Sequence, residues 1–250
     1  YVQAVDAAGL LAVATEHDLL LRLMSRPGDF MITGQPVARA WPADQLTDEV
    51  AARINAAYLV NVRRTPFQDV NAAVAELVET AVRALSPGIN DPYTAMSCVD
   101  YLAAALCRVA ERRIPSPFRY DDEGRLRVIA APTRLPEMLD AAFDQIRQNS
   151  RSMVAVHLRM LEALETIGGR VVRVEDRHAV VRQLEMVLRG CEREIPEPND
   201  LAAARERYER ALRVCRAEEQ PPGRPAARGE APVLRETEVP EHDGGNVGVL

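Results

Sequence analysis

Lysine is absent from this sequence, and all 31 of its basic residues are arginine. A Walker A phosphate loop, a pyridoxal-phosphate Schiff base and the attachment of a lipoyl or biotinyl group each require a lysine side chain. None of these chemistries can therefore occur within this chain. The net charge is −6 and the pI is near 5.4, which disfavours general nucleic-acid binding because neutralising phosphates requires a cationic face. We expect no nucleic-acid partner.

Cysteine and aromatic residues are also scarce. The four cysteines are Cys98, Cys107, Cys191 and Cys215. They lack Cys-x-x-Cys spacing and lie on or beside apolar helical stripes, so we interpret them as reduced core thiols of a cytoplasmic protein. We expect no metal site and no cofactor. Aromatic residues make up only 4% of the chain, which together with abundant alanine favours close-packed helices over an aromatic-rich sandwich or barrel.

Long apolar runs are missing as well. The longest, such as residues 7–14, fall short of the roughly 18 residues that a membrane span requires. The sequence begins at Tyr1 without an initiating methionine and without the basic segment and apolar core of a signal peptide. We therefore expect an excised piece of a longer chain, whose missing front could hold targeting or membrane segments. Its 250 residues, 47% of them apolar, suffice for one large domain or two small ones.

The most informative stretch, residues 84–95, reads Ala-Leu-Ser-Pro-Gly-Ile-Asn-Asp-Pro-Tyr-Thr-Ala. Ser86 precedes a proline and is driven out of the helical region, and Pro87-Gly88 is typical of a tight turn. Asp91 followed by Pro92 is typical of an N-cap carboxylate with proline at the first helical position. The pattern predicts one helix that ends before the turn and another that begins at Pro92.

The start of this second helix gathers hydrogen-bond donors at the positive end of a helix dipole. They are the free N–H groups of the first turn, the Thr94 hydroxyl and the Asn90 amide. If Arg63 and Arg64 fold back beside the Asp91 cap, their guanidinium groups would converge with these donors on one small anion. The predicted ligand-binding residues are therefore Arg63, Arg64, Asn90, Asp91 and Thr94.

Simpler interpretations stay open for each part of this site. Asp91 would satisfy the helix donors as an ordinary cap, with Asn90 closing the turn. Either arginine would pair with Asp69, Asp91 or Asp100 in a structural or surface ion pair. His157 lies on an apolar helical stripe without a metal-spaced partner, so we interpret it as a core residue with one hydrogen-bonded nitrogen.

Apolar periodicity and turn residues predict an α+β fold that is mostly helical. Residues 1–42 are predicted to form a small β-rich module with a packing or docking role. Residues 43–134 are predicted to form a helical core with the Ser-Pro-Gly-Ile-Asn-Asp-Pro turn and one β-hairpin, and residues 135–217 a bundle of packed amphipathic helices. Residues 218–250, in which prolines alternate with glycines and charges, are predicted to be a disordered tail.

Several segments carry a family resemblance. They are Tyr1–Asp6, Arg26–Phe30, Arg64–Asp69, Ala84–Pro92 and Phe143–Arg147. Together these segments resemble a bacterial family of predicted membrane proteins known as domain of unknown function 2254, over roughly residues 1–190. Family members typically carry several transmembrane helices before the position equivalent to Tyr1. The resemblance implies that this chain is a soluble, cytoplasmic region of an inner (plasma) membrane protein, and it supplies no activity or catalytic residues.

Three functions are compatible with the sequence. We prefer a cytoplasm-facing, non-enzymatic, ligand-binding or regulatory module of a membrane protein, which binds a small anion or a partner and assembles as a homo-oligomer. The second is a metal-assisted hydrolase or phosphotransfer enzyme in which Asp69, Asn90 and Asp91 surround a divalent ion, since hard cations take oxygen ligands. The third is a structural oligomerisation scaffold.

Overall fold

The computed structural model describes residues 1–151, 153–217 and 245–248. The chain has an α+β fold that is mostly helical, as the sequence predicts. Its described residues divide into two compact units, each with its own hydrophobic core. Unit 1 comprises residues 1–72, 115–132 and 245–248, and unit 2 comprises residues 73–114 and 133–217. This division differs from the predicted boundaries at 42 and 134 because the β-hairpin returns to the sheet of unit 1.

Unit 1 holds all the strands of the described residues. They are β1 (Val2–Val5), β2 (Leu20–Leu23), β3 (Pro36–Trp41), β4 (Tyr58–Val60), β5 (Phe118–Tyr120), β6 (Leu126–Ile129) and β7 (Gly245–Gly248). β1 and β4 pair in a two-stranded antiparallel ribbon. The other five form one sheet in the order β5-β6-β2-β3-β7, in which only β2 and β6 run parallel. The predicted hairpin is therefore confirmed as β5 and β6.

Among the described residues, two α-helices lie wholly within unit 1, and side-chain caps start both of them. The helices are α1 (Ala7–Glu16) and α2 (Asp48–Ala56). Asp6 accepts a hydrogen bond from Gly9 N at 2.9 Å, and Thr47 accepts one from Val50 N at 3.3 Å. Both interactions satisfy N–H groups that a helix leaves unpaired at its start.

The C-terminal strand β7 lies within the stretch predicted to be a disordered tail. Val247 is 1% exposed and lies opposite Ala38 of β3. Pairing with an existing strand edge and burial of one valine stabilise a segment whose composition alone gives no strand signal. Residues 218–244 and 249–250 of the predicted tail lie outside the described residues.

Unit 2 is built from helices that bury their apolar stripes against one another. They are α3 (Val70–Ala84), which begins just before the unit 1 boundary, α4 (Pro92–Ala110), α5 (Leu135–Ser150), α6 (Val154–Gly168), α7 (Val174–Glu194) and α8 (Pro198–Ala217). α6 packs against α4, α7 and α8, so it lies at the centre of this unit. The fully buried side chains include Leu102, Leu106, Leu139, Phe143, Met160 and Leu161.

The turn between α3 and α4 has the predicted form. α3 ends at Ala84 and α4 begins at Pro92. Within the turn Asn90 adopts a φ of +49°, and its N–H donates to the Ser86 carbonyl at 2.8 Å. Asp91 N donates to the Ala84 carbonyl at 2.8 Å, which closes the connection between the two helices.

All four cysteines are reduced thiols, as the sequence predicts. Cys98, Cys191 and Cys215 are buried and Cys107 is half-buried. Burial raises the pKa of the Cys191 thiol to about 11, because a thiolate is poorly solvated among apolar side chains. These thiols therefore act as small apolar packing groups.

Candidate ligand-binding site

β1 is held on both sides by segments that carry the family resemblance or adjoin one. On one side, Val2 N donates to the Asp29 carbonyl at 2.9 Å, and Gly28 N donates to the Val2 carbonyl at 2.8 Å. On the other side, Asn61 N donates to the Tyr1 carbonyl at 3.0 Å. The Arg26–Phe30 turn and the start of the chain are thereby fixed against each other.

The Arg64–Asp69 segment joins the same assembly through its last two residues. The Gln68 Oε1 atom accepts a hydrogen bond from Val5 N at 3.0 Å. Asp69 is 4% exposed, and its carboxylate accepts a hydrogen bond from Arg64 Nε at 2.5 Å. Gly28 lies directly against this carboxylate: a Cβ atom at Gly28 would be 2.4 Å from Asp69 Oδ2, and the φ there is +97°. Three of the family segments therefore meet around β1.

A half-open cavity of about 330 Å³ lies among these segments of unit 1. Its apolar wall is formed by Val5, Ala7, Leu23, Met24, Pro27, Ala130 and Ala131. Its polar groups come from Ser25, Arg26, Asp29 and Gln68. Arg26 N donates to Asp29 Oδ2 at 2.9 Å, which fixes the turn that carries most of these polar residues. The size and the mostly apolar lining are those of a small-molecule site.

Two more open depressions flank this cavity. One, of about 360 Å³, shares Met24, Ser25 and Asp29 with it. The other, of about 550 Å³, shares Val5, Ala7 and Gln68. Gln68 thus lines both the cavity and the larger depression, while its Oε1 atom accepts the hydrogen bond from Val5 N of β1.

The structure brings together three of the predicted site residues at the start of α4 in unit 2. Asp91 Oδ1 accepts a hydrogen bond from Thr94 N at 3.1 Å, and Asp91 Oδ2 accepts one from the Thr94 hydroxyl at 2.6 Å. Hydrogen bonds from the Thr94 hydroxyl and backbone hold the pKa of Asp91 below its ordinary value. Asn90 lies in the preceding turn with its positive φ. The simpler interpretation, in which Asp91 is an ordinary helix cap, is therefore confirmed.

The two predicted arginines lie in unit 1. Arg64 pairs with Asp69, so the simpler interpretation of a structural ion pair is confirmed for this residue. Arg63 is exposed, and its carbonyl accepts a hydrogen bond from Gln3 Nε2 at 2.8 Å. A shared anion site of Arg63 and Arg64 with the α4 start stays a prediction.

The carboxylates that the metal-assisted alternative requires are both engaged. Asp69 is bound by Arg64, and both Asp91 oxygens accept hydrogen bonds from Thr94. Within the described parts of the chain, no three His, Cys, Asp or Glu side chains lie close enough together to hold a metal ion.

His157 is a core residue, as the sequence predicts. It is 1% exposed, its Nδ1 atom lies 3.2 Å from the Met153 carbonyl and its Nε2 atom lies 3.1 Å from Ser150 Oγ. Both ring nitrogens are thus within hydrogen-bonding distance of a partner, whereas the sequence predicts one. Burial lowers the pKa of His157 because the charged ring loses its hydration.

Sequence patterns alone do not single out the cavity residues. Arg26, Asp29 and Gln68 do lie in segments that resemble the family, and this was the signal that could have identified them. Ser25 carries no such signal. The cavity depends on pairings between residues about 60 positions apart, such as Val5 with Gln68, which local patterns cannot reveal.

The fold and this cavity define a two-unit α+β chain with a small-molecule-sized space in its β-rich unit. The chain belongs to the family described as predicted membrane protein (DUF2254), whose model matches residues 1–166. The resemblance seen in the sequence is thereby confirmed, and the family description supports a membrane location for the protein.

Curated relatives include uncharacterised proteins of Mycobacterium tuberculosis and Mycobacterium bovis. Each is 27% identical over 210 residues, which cover 81% of this chain and 40% of the relative. The chain thus spans less than half the length of these relatives. No solved structure matches the chain. Among the residues placed by the structure, no helix is both long enough and apolar enough to cross a bilayer.

Proposed function

We propose that this chain is a non-enzymatic, ligand-binding module of a membrane protein, and that the cavity of unit 1 binds a small molecule with an apolar body and an anionic head. The observation that carries this function is the cavity of about 330 Å³ where three family segments meet. Small-molecule sites are concave and mostly apolar, with a few placed polar groups that fix orientation.

The polar groups of the cavity favour an anionic head. Ser25 contributes a hydroxyl, Arg26 a guanidinium and Gln68 an amide NH₂, while the Gln68 Oε1 atom is already bonded to Val5 N. The Asp29 carboxylate would repel an anion. Its Oδ2 atom, however, accepts a hydrogen bond from Arg26 N, which offsets part of the carboxylate charge. The positive charge of Arg26, together with the Ser25 and Gln68 donors, therefore favours an anionic over a cationic head.

The apolar body would lie against the apolar part of the cavity lining. That part includes Leu23, Met24, Ala130 and Ala131. Burying a short alkyl group there contributes about 25 cal/mol per Å² of apolar surface removed from water.

Regulation, a cytoplasmic placement and assembly as a homo-oligomer also belong to this proposed function. They rest on the sequence and on the family's description as predicted membrane proteins. The anion site predicted at Arg63, Arg64, Asn90, Asp91 and Thr94 is a separate proposal. The cavity is the stronger candidate, because the Arg64 Nε atom and the Asp91 oxygens already have partners.

A thermal-shift titration tests the cavity with three ten-carbon probes below their micelle-forming concentrations: decanoate, decyl phosphate and decyltrimethylammonium. A ligand that binds only the folded state raises the melting temperature by mass action. We expect both anionic probes to stabilise the parent and the cationic probe to leave it unchanged. Arg26→Leu should remove the preference for anions.

A pair of variants separates binding in the cavity from adsorption elsewhere. Ala130→Leu places a larger side chain in the cavity wall, whereas Ala52→Leu makes the same change at an exposed site on α2. The shift should be lost in Ala130→Leu and kept in Ala52→Leu. Equal shifts in the two variants, or no shift with any probe, would contradict the proposed function.

A further inference from the structure

Unit 1 exposes several large apolar side chains on neighbouring loops. Val62 is 86% exposed, Phe67 is 81% exposed and Phe30 is 64% exposed. Ile32 and Leu59 are also more than half exposed. We call these five residues the apolar rim. Single exposed apolar residues are normal, but a group of them on adjoining segments marks an interaction surface.

Tyr1 connects two members of the apolar rim. Its ring contacts the Phe30 ring edge-on, with 5.1 Å between the ring centroids. Its backbone nitrogen donates to the Asn61 carbonyl at 2.6 Å, and Asn61 N donates to the Tyr1 carbonyl at 3.0 Å. Asn61 immediately precedes Val62, so Tyr1 links the Phe30 ring to the backbone next to Val62.

Further hydrogen bonds hold the segment between Val62 and Phe67 beside β1. Gln3 Nε2 donates to the Arg63 carbonyl at 2.8 Å, and Val5 N donates to Gln68 Oε1 at 3.0 Å. The segment therefore runs alongside β1, and Phe67 lies in the part of it that is bound to this strand. Leu59 belongs to β4, the partner of β1.

Positive charge accompanies these apolar side chains. Arg63 is exposed and adjoins Val62. Arg64 donates its Nε to buried Asp69, and its side chain is still 35% exposed. Asp69, the acidic residue of the same segment, is thereby buried and neutralised. The net charge of the whole chain is −6, so the local positive charge beside the apolar rim is opposite in sign to the net charge.

We propose that the apolar rim and Arg63 form a docking surface for an anionic lipid bilayer. A bilayer interface buries exposed apolar and aromatic side chains to a depth of about 5–10 Å and attracts neighbouring arginine side chains. The rim residues stand on separate loops and a ribbon edge, which suits insertion of single side chains among lipids. A protein partner would instead need a closely packed, shape-complementary core. The chain's family of predicted membrane proteins supports a bilayer as the partner.

Vesicle co-sedimentation of the full 250-residue chain tests this surface. The vesicles contain phosphatidylglycerol and phosphatidylcholine at 1:3, or phosphatidylcholine alone, at low and high salt. We expect binding to the anionic vesicles that weakens with salt, because electrostatic attraction is screened. Arg63→Ala should weaken this binding about fivefold, since one basic residue near an anionic surface contributes about that factor.

A double variant and its control locate the contact. Val62→Asp combined with Phe67→Asp should reduce the bound fraction at least about tenfold, because two inserted side chains are lost and charge of the wrong sign is added. Val172→Asp makes the same change at a 75% exposed valine of unit 2 and should bind as the parent does. Circular dichroism checks that each variant folds.

Several results would overturn this docking surface. One is a parent protein that does not bind anionic vesicles. Another is an equal loss of vesicle binding in the double variant and in Val172→Asp. A third is light scattering that shows two copies held together through the rim residues, without any vesicle binding. Failure here leaves the cavity proposal intact, because the probes of the cavity are tested without vesicles.

Discussion

Gly28 has a φ of +97° and lies against the buried Asp69 carboxylate. Any side chain at this position would therefore destabilise the folded state in two ways. It would strain the backbone in the left-handed region, and it would clash with the ion pair of Asp69 and Arg64. Gly34 has a similar φ of +87°, but no atom lies within 4 Å of the position that a Cβ atom would take there, which makes it a natural comparison.

We expect Gly28→Ala to lower the free energy of unfolding by about 3 kcal/mol and Gly34→Ala by about 1 kcal/mol. The shared strain cancels in the comparison, so the difference reports the contact with Asp69. Urea denaturation of the two variants measures it. Equal losses would show that Asp69 does not crowd Gly28.

Arg64 neutralises a carboxylate that is 4% exposed. Removing the partner of a buried charge costs several kcal/mol in a fully buried pair, and less here because the Arg64 side chain is about one-third exposed. We expect Arg64→Met to lower the free energy of unfolding by about 2 kcal/mol. Arg63→Met, at an exposed neighbour, should stay within about 0.5 kcal/mol of the parent in the same urea titration.

His157 gives the stability a predictable pH dependence. Burial lowers the pKa of His157 in the folded state. In the unfolded state its pKa is about 6.5, so the folded state takes up the proton at lower pH than the unfolded state does. The contribution of His157 to the free energy of unfolding should be constant above about pH 6.5 and fall as the pH drops below it, by at most about 1.4 kcal/mol per unit.

Urea titrations of the parent and of His157→Asn between pH 5 and pH 8 test this dependence. The stability difference between the two proteins should shrink as the pH is lowered below about 6.5. A difference that is independent of pH would mean that His157 has the same pKa in the folded and unfolded states.

At the scale of elements, the starts of α2 and α4 were predictable because their signals are local. Thr47 and Asp91 each cap a helix within three residues of their own position. The strands β4 and β7 were not predictable, since they have three and four residues and depend on distant partners. Periodicity needs longer segments to reveal a strand.

The strand β7 gives a test at this scale. Val247 is 1% exposed against β3, while Asn246 beside it is exposed. We expect Val247→Asp to lower the free energy of unfolding by about 3 kcal/mol, because it buries an unpaired charge, and Asn246→Asp to change it by less than about 0.5 kcal/mol. Hydrogen exchange of the β3 amides should increase in Val247→Asp alone. Indistinguishable exchange in the two variants would contradict the pairing of β7 with β3.

At the scale of the whole molecule, composition and motifs were enough to predict the mostly helical α+β class and the family. The candidate site was harder to predict. Arg63 and Arg64 lie in unit 1, whereas Asn90, Asp91 and Thr94 lie in unit 2. Sequence spacing does not reveal which distant segments share a core, so it could not assign these residues to separate units or find the cavity around β1.

Calorimetric titration of decyl phosphate into the parent, Ala52→Leu and Ala130→Leu is the decisive test of ligand binding in the unit 1 cavity, because it counts sites and measures affinity at once. Binding in the unit 1 cavity predicts one saturable site in the parent, the same affinity in Ala52→Leu, and an affinity at least about tenfold weaker in Ala130→Leu, equivalent to a loss of about 1.4 kcal/mol. Unchanged affinity in a folded Ala130→Leu protein, or no saturable binding to the parent, would contradict it.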